Sequence, residues 1–285
     1  MSPAMLKENL ILTFASGNRF FEGEGFWYFL KSLQNVLSAD LVVLTIEMPD
    51  LVEGLLTELG IRVVRAPASK VEDLLRDRHL LYWEYLNDWG HLYKYVFTTD
   101  SRDVIFQSNP FLWIEEWKGR FANIHGNKQF LNHFVILTSE GFRIMQSGFA
   151  CIEHFEFQRD VPPKFMSDDK TRWVVNGGIQ LGTPRAMQDL HFLRWMVSLK
   201  TLGNCTDQAG LNWIFRYLGE DDAYSVSFPQ TDYLCFTGQS YFDGGPQAKI
   251  IDGKICDQKD RPYHIVHQWD RVEDLKESVL SQFKS

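Results

Sequence analysis

Apolar positions along the first hundred residues alternate between two periods. Asn9–Ala15, Asp40–Ile46, Ile61–Arg65 and Tyr93–Thr99 are short, nearly continuous apolar runs edged by turn residues, and each predicts a buried strand. Between them, Phe26–Val36, Met48–Leu59 and Val71–Asn87 carry apolar residues at helical spacing, the second closed by Gly60. Strands alternating with helices predict crossover connections and a largely parallel sheet covered on both faces. The rest of the chain is less regular. It predicts strands at Ala122–His125 and Trp173–Leu181 and helices at Pro184–Leu199 and Asp207–Leu218. Gly and Pro become dense between Phe228 and Pro262, the pattern of loops around a cleft. With no repeat, linker or low-complexity stretch, residues 1–285 read as one α/β domain with a Rossmann-like, mostly parallel central sheet flanked by helices.

Composition narrows the function. The 285 residues are 45% hydrophobic and 14% aromatic, enough for a substantial core. A net charge of −8 argues against a nucleic-acid partner, because phosphate binding needs a basic face. No stretch approaches the roughly 20 apolar residues of a membrane span. The short apolar run near the N-terminus reads as a first strand, not a secretory signal. The cysteines at 151, 205, 235 and 256 lie far apart without a CxxC pair, so reduced thiols are expected. The expected location is the cytoplasm, free or peripheral to a membrane.

The most informative segment runs from residue 93 to 110. An apolar strand ends in Asp100-Ser101-Arg102-Asp103, and a second apolar stretch follows at once. Ligands of open α/β sheets sit at the carboxyl ends of strands. Two carboxylates there suit a hard divalent cation that grips a diphosphate, although acidic turns that merely cap or pair with Arg102 are common. An aspartyl-phosphate phosphatase would need an acid two residues after its nucleophile; residue 102 is Arg, which excludes that chemistry.

The segment resembles the DxD region of GT-A glycosyltransferases, in a D-S-R-D variant seen in bacterial, viral and plant members. The resemblance implies a nucleotide-sugar-dependent transferase in which Asp103 binds the metal and Ser101 takes the earlier DxD place. Asp100 is then a second ligand or a contact to the donor ribose. It further implies Mn²⁺ (or Mg²⁺) as cofactor, a UDP- or GDP-sugar as donor and a glycan acceptor.

Three later segments follow in the order the resemblance implies. Residues 174 to 182 match an N-x-G strand; Gly177 and Gly178 permit close backbone approach, and Asn176 is placed to meet donor-sugar hydroxyls, a Gly-bearing bulge being the structural alternative. Thr206-Asp207-Gln208 opens a helix, and either Thr206 or Asp207 can cap it. The resemblance makes Asp207 a base or acceptor contact and puts Gln208 near the anomeric carbon. Residues 263 to 271 match a closing I-x-H-x-x-x-R string. The resemblance makes His267 the third ligand, and strand alternation, which sets His264 on the opposite face, keeps the two from sharing that role. By the same likeness the loop at residues 13–18, Ala15 included, covers the base, and Arg78, in preference to Arg76, reaches the diphosphate or ribose. Residues 1–110 form the nucleotide-sugar half and 111–285 the acceptor half. Two other readings stand beside this one. A sugar-1-phosphate nucleotidyltransferase would want a basic Gly-rich loop where this chain has Glu22 and Glu24. A non-catalytic nucleotide-sugar or carbohydrate-binding module would keep the fold without turnover.

Overall fold

A computed structural model describes residues 8–36, 38–125, 130–143, 146, 173–199, 206–218, 224–227, 229, 231–242 and 244–283. Four strands and the helices between them build the first half: β1 (Asn9–Phe14), α1 (Asn18–Glu22), α2 (Glu24–Ser32), β2 (Ala39–Thr45), α3 (Asp50–Glu58), β3 (Arg62–Arg65), α4 (Leu74–Trp89) and β4 (Tyr95–Thr99). Then come β5 (Val104–Phe106), α5 (Pro110–His125), β6 (Val135–Arg143), β7 (Trp173–Gly182), α6 (Pro184–Ser198), α7 (Thr206–Leu218), β8 (Tyr224–Ser227) and β9 (Cys235–Thr237). The hairpin β10 (Lys249–Ile251) and β11 (Lys254–Cys256), β12 (Ile265–His267) and α8 (Glu273–Phe283) close the order.

The central sheet has seven strands in the order β3-β2-β1-β4-β7-β6-β8. Only β7 opposes the other strands of this sheet, pairing antiparallel with both β4 and β6. Alternate residues of β1 feed two cores. Ile11 packs with the side chains of α2 and α5, while Leu10 and Leu12 pack with those of α4, α6 and α7. Burial on both faces explains why these strands read as continuous apolar runs. A smaller sheet, β5-β12-β9, stands beside the carboxyl end of β4 and is backed by α8 through Leu275, Val279 and Phe283. Among the described residues no helix is long and apolar enough to cross a membrane.

Two expectations are corrected here. Ala122–His125 is the last turn of α5, not a strand. The Asn109 side chain accepts from the Phe111 N–H (3.0 Å), Pro110 begins the helix, and Trp113, Trp117 and Phe121 stack along one face. That four-residue spacing outweighs the strand signal of residues 122–125. The Gly/Pro-dense stretch also holds strands, among them β9 and the β10–β11 hairpin, which turns at Asp252 and Gly253, both with positive φ. Of the cysteines, 151 and 205 lie outside the described residues, and Cys235 and Cys256 are buried free thiols.

Candidate active site

The site forms where the regular ladder fails. On β6, Leu137 pairs with Gln180 but Ser139 pairs with Val175, so residues 176–179 of β7 leave register with β6. The same residues still follow β4, with Ile179 opposite Thr99 and the Asp100 N–H donating to the Gly178 carbonyl (2.8 Å). Asp100 therefore stands at the carboxyl end of β4 directly over Gly178. A Cβ at residue 178 would stand 2.4 Å from Asp100 Oδ2 and 2.8 Å from His267 Cε1, so only glycine fits. Antiparallel pairing of β5 with β12 sets His267 opposite Val104, one residue past Asp103, and the Gln268 N–H clamps the Asp103 carbonyl at 2.7 Å.

Asp100, Asp103 and His267 thus converge from two sheets, each offering one ligand atom within 4.8 Å of the others. His267 Nε2 lies 3.5 Å from Asp103 Oδ1 and 3.8 Å from Asp100 Oδ2. Ligand atoms about 2.1 Å from one ion stand roughly 3 Å apart, so small shifts close this set around a metal. Two carboxylates and an imidazole suit Mn²⁺ or Mg²⁺. Burial works to raise the Asp103 pKa, but the His267 and Arg102 charges outweigh it and hold the carboxyl well below its usual range. Burial equally works to lower His267, and Asp103, Asp100 and Glu140 outweigh it and push the imidazole up. The fold has concentrated negative charge here and leaves a partial answer to it in one imidazole.

A cleft of about 320 Å³ opens over the three residues. Phe14, Ser16, Phe20, Leu74, Leu75, Arg78, Gln268 and Arg271 also line it. Arg78 ties this cleft to a second cluster. Its Nη1 donates to Asp100 Oδ1 (2.7 Å) and its Nη2 to Asp207. Asp207 also accepts from Arg194, and its Oδ1 meets His79 Nε2 at 2.7 Å. Burial opposes ionisation of Asp207, but Arg194, Arg78 and His79 outweigh it and hold its pKa far down. Behind it, His79 Nδ1 faces His191 Nδ1 at 3.1 Å, and His191 Nε2 faces Thr98 Oγ1 at 3.1 Å. Burial holds His79 neutral with a pKa near 3 and lowers His191 likewise. Because the carboxylate can only accept, neutral His79 carries its proton on Nε2 and takes a hydrogen bond from His191 at Nδ1.

The residues singled out from sequence divide accordingly. Asp100, Ser101, Asp103, Arg78 and His267 line the cleft, and Gly178 forms its floor. Gly177 lies behind the floor, its carbonyl accepting from Gln180 and Arg194. Asn176 is only 1% exposed, donates to Glu140 (3.0 Å) and accepts from the Gly178 N–H (2.8 Å), so its amide is spent inside the protein. The Ala15 methyl is in the core, and its neighbours Phe14 and Ser16 face the cleft in its place. Both oxygens of Asp207 are engaged. His264 lies apart from the three ligands, bonded to Ser108 (2.6 Å) and stacked on Tyr233. Arg76 turns to Asp77 at the start of α4.

Sequence reading missed Gly25, where a Cβ would stand 2.0 Å from the Arg102 carbonyl oxygen, so that α2 closes on the acidic loop. It also missed Arg194, His191 and Glu140. A signal existed for the first two: they fall four residues after Leu190 and Met187, on the face α6 buries.

This architecture is the GT-A glycosyltransferase fold. Over 95% of both chains it superposes on an active-site mutant of LgtC, at a TM-score of 0.57 and 13% identity. It superposes equally far on the galactosyltransferase LgtC in complex with donor and acceptor sugar analogues, at a TM-score of 0.53 and 13% identity. No protein-family model and no curated protein matches the chain. At such identity the likeness establishes the fold.

Proposed function

We propose that the protein is a glycosyltransferase that moves a sugar from a nucleotide-diphosphate donor, a UDP- or GDP-sugar, to a hydroxyl of a glycan. The observation that carries this reading is the convergence of Asp100, Asp103 and His267 over Gly178, in a cleft flanked by Arg78 and Arg271. Asp103 and His267, with Asp100 through Oδ2, hold a divalent cation. Such an ion supplies charge neutralisation for a diphosphate leaving group. Arg78 and Arg271 add fixed positive charge where the diphosphate lies, and Phe14, Ser16 and Phe20 face the nucleoside end. The first half of the chain thus meets the nucleotide, while Gln208 and the second half face the sugar and acceptor.

Asp207 was expected as a base or an acceptor contact. With two guanidinium partners and an imidazole on its oxygens, it serves instead to anchor Arg78. An inverting transfer needs a protein base, and with Asp207 engaged the arrangement of the described residues favours retention. The acceptor oxygen bonds to the anomeric carbon as the carbon–phosphate oxygen bond breaks on the same face. That bond's electron pair leaves with the diphosphate, and the hydroxyl proton passes to the departing phosphate oxygen.

A panel of nucleotide sugars incubated with Mn²⁺ tests the reading, scored by nucleoside diphosphate release and by the anomeric proton coupling of the product. Release is expected for one donor class and is abolished by exhaustive chelation. Release unaffected by chelation removes the metal assignment, and an inverted product removes retention. A nucleoside triphosphate consumed with release of pyrophosphate would favour a nucleotidyltransferase instead.

A further inference from the structure

Gln268 holds a backbone conformation that its residue type disfavours. Its φ is +55° and its ψ 35°, in the left-handed region where a side chain crowds the backbone and glycine is the usual occupant. The surroundings fix it there. Its N–H clamps the Asp103 carbonyl at 2.7 Å, and its own carbonyl accepts from the Arg271 N–H at 3.3 Å. The same carbonyl oxygen lies against Gly238, where a Cβ would stand 2.1 Å from it. All of these contacts use backbone atoms of residue 268, and glycine would make each of them without the crowding.

A strained residue beside a cleft points to a use for its side chain that glycine could not serve. Part of that side chain is spent inside the protein, where Oε1 accepts from the Gln239 N–H at 3.2 Å. A backbone N–H can only donate, so this bond settles the orientation of the amide and turns Nε2 the other way. Nε2 has no hydrogen-bond partner among the described residues, yet it is not sealed from solvent. Gln268 keeps only 6% of its surface open, and it is one of the residues that line the cleft, with Asp103, His267 and Arg271. One N–H₂ group is thus oriented, unspent and set among the groups that meet the donor.

We propose that Gln268 is a binding residue of the cleft, whose Nε2 donates a hydrogen bond to an oxygen of the donor's diphosphate. This rests on the glycosyltransferase reading above, and it adds a neutral, directional contact beside the fixed charges. Ionised phosphate oxygens only accept, so N–H₂ is the half of the amide that suits them and the carbonyl half would repel them. The clamp between the Gln268 N–H and Asp103 ties this donor to the acidic loop, so that the phosphate contact and the cation site share one turn of backbone.

Gln268→Gly keeps every backbone contact and removes the amide, whereas Gln268→Glu keeps an acceptor for the Gln239 N–H and removes the donor. Binding of uridine diphosphate and of guanosine diphosphate, each with Mn²⁺, is measured by calorimetry, and binding of Mn²⁺ alone by electron paramagnetic resonance. Whichever diphosphate the wild type binds is expected to bind at least about tenfold more weakly to both variants, the effect of losing a hydrogen bond to a charged group. The loss should be larger in Q268E, where a carboxylate faces the phosphates. Mn²⁺ alone should bind Q268G as it binds the wild type, because the clamp on Asp103 is a backbone bond. The melting temperature of Q268G should stay close to that of the wild type, since relief of the left-handed crowding offsets the lost bond to Gln239. Wild-type diphosphate affinity in either variant overturns the proposal. A parallel loss of Mn²⁺ affinity in Q268G overturns it too, since the residue would then act only through Asp103. Should the wild-type protein bind neither diphosphate with Mn²⁺, the glycosyltransferase reading falls first and this one with it.

Discussion

Two charged clusters stand side by side beneath the cleft, and they are built on opposite plans. Asp100, Asp103 and His267 hold their charge toward open space, at separations that leave room for one more atom among them. Asp207, Arg78, Arg194, His79 and His191 turn inward and neutralise one another through hydrogen bonds of ordinary or short length. In the first group Arg78, Arg102 and His267 offset the two carboxylates only in part and leave oxygen atoms facing the cleft. In the second both oxygens of Asp207 are engaged, and Arg78 joins the two by gripping Asp100 with one nitrogen and Asp207 with the other. The lesson is that a carboxylate near a reaction centre is not thereby a reagent. What matters is whether its lone pairs are free.

The sharpest break in this contrast is expected from Asp103→Ala. The open cluster loses a buried ligand, and donor turnover should fall by at least about 10³-fold, while the fold, read by circular dichroism, persists. Turnover within tenfold of wild type would mean that this cluster does not hold the metal.

The closed cluster should answer differently. Asp207→Asn keeps the shape but removes the charge that two buried guanidinium groups face, and breaking such a pair typically costs about 3 kcal/mol. A melting temperature lower by roughly 5–10 °C is expected, together with weaker nucleotide binding through a loosened Arg78. A large loss of kcat at unchanged melting temperature would restore the general-base role and erase the distinction between the clusters.

The smallest effect concerns the imidazoles behind Asp207. His79 and His191 are held neutral in the fold, and in the unfolded chain each takes up a proton below about pH 6.5. The unfolded state then binds more protons, so stability declines as pH falls from about 6.5 toward 3. His79→Gln should make the fall in melting temperature between pH 7 and pH 5 shallower than in the wild type. An identical slope would mean that other groups carry the acid sensitivity.

Much of the first half was readable from the chain. Buried parallel strands are apolar on both faces, so β1, β2, β3 and β4 appear as runs whatever their partners, and the helices between them show their own period. Asp100 and Asp103 were conspicuous because a strand end is where a fold delivers ligands, and His267 because alternation separates it from His264. A polar residue among glycines, such as Asn176, looks the same in sequence whether it meets a sugar or a buried Glu140. Nor does the order of a loop say which of its residues turns inward, as Ala15 does.

Periodicity and local turn chemistry act through neighbours a few residues away, and these set the strands, the helices and the acidic loop. Charge partners act across space. His79 lies 128 positions from Asp207, and Asn176 lies 36 from Glu140. Which carboxylates stay open and which are closed by guanidinium groups therefore depends on how β6, β7, α4, α6 and α7 meet. It is that meeting, and the register break at residues 176–179, that separates the carboxylates facing the cleft from the one closed by guanidinium groups.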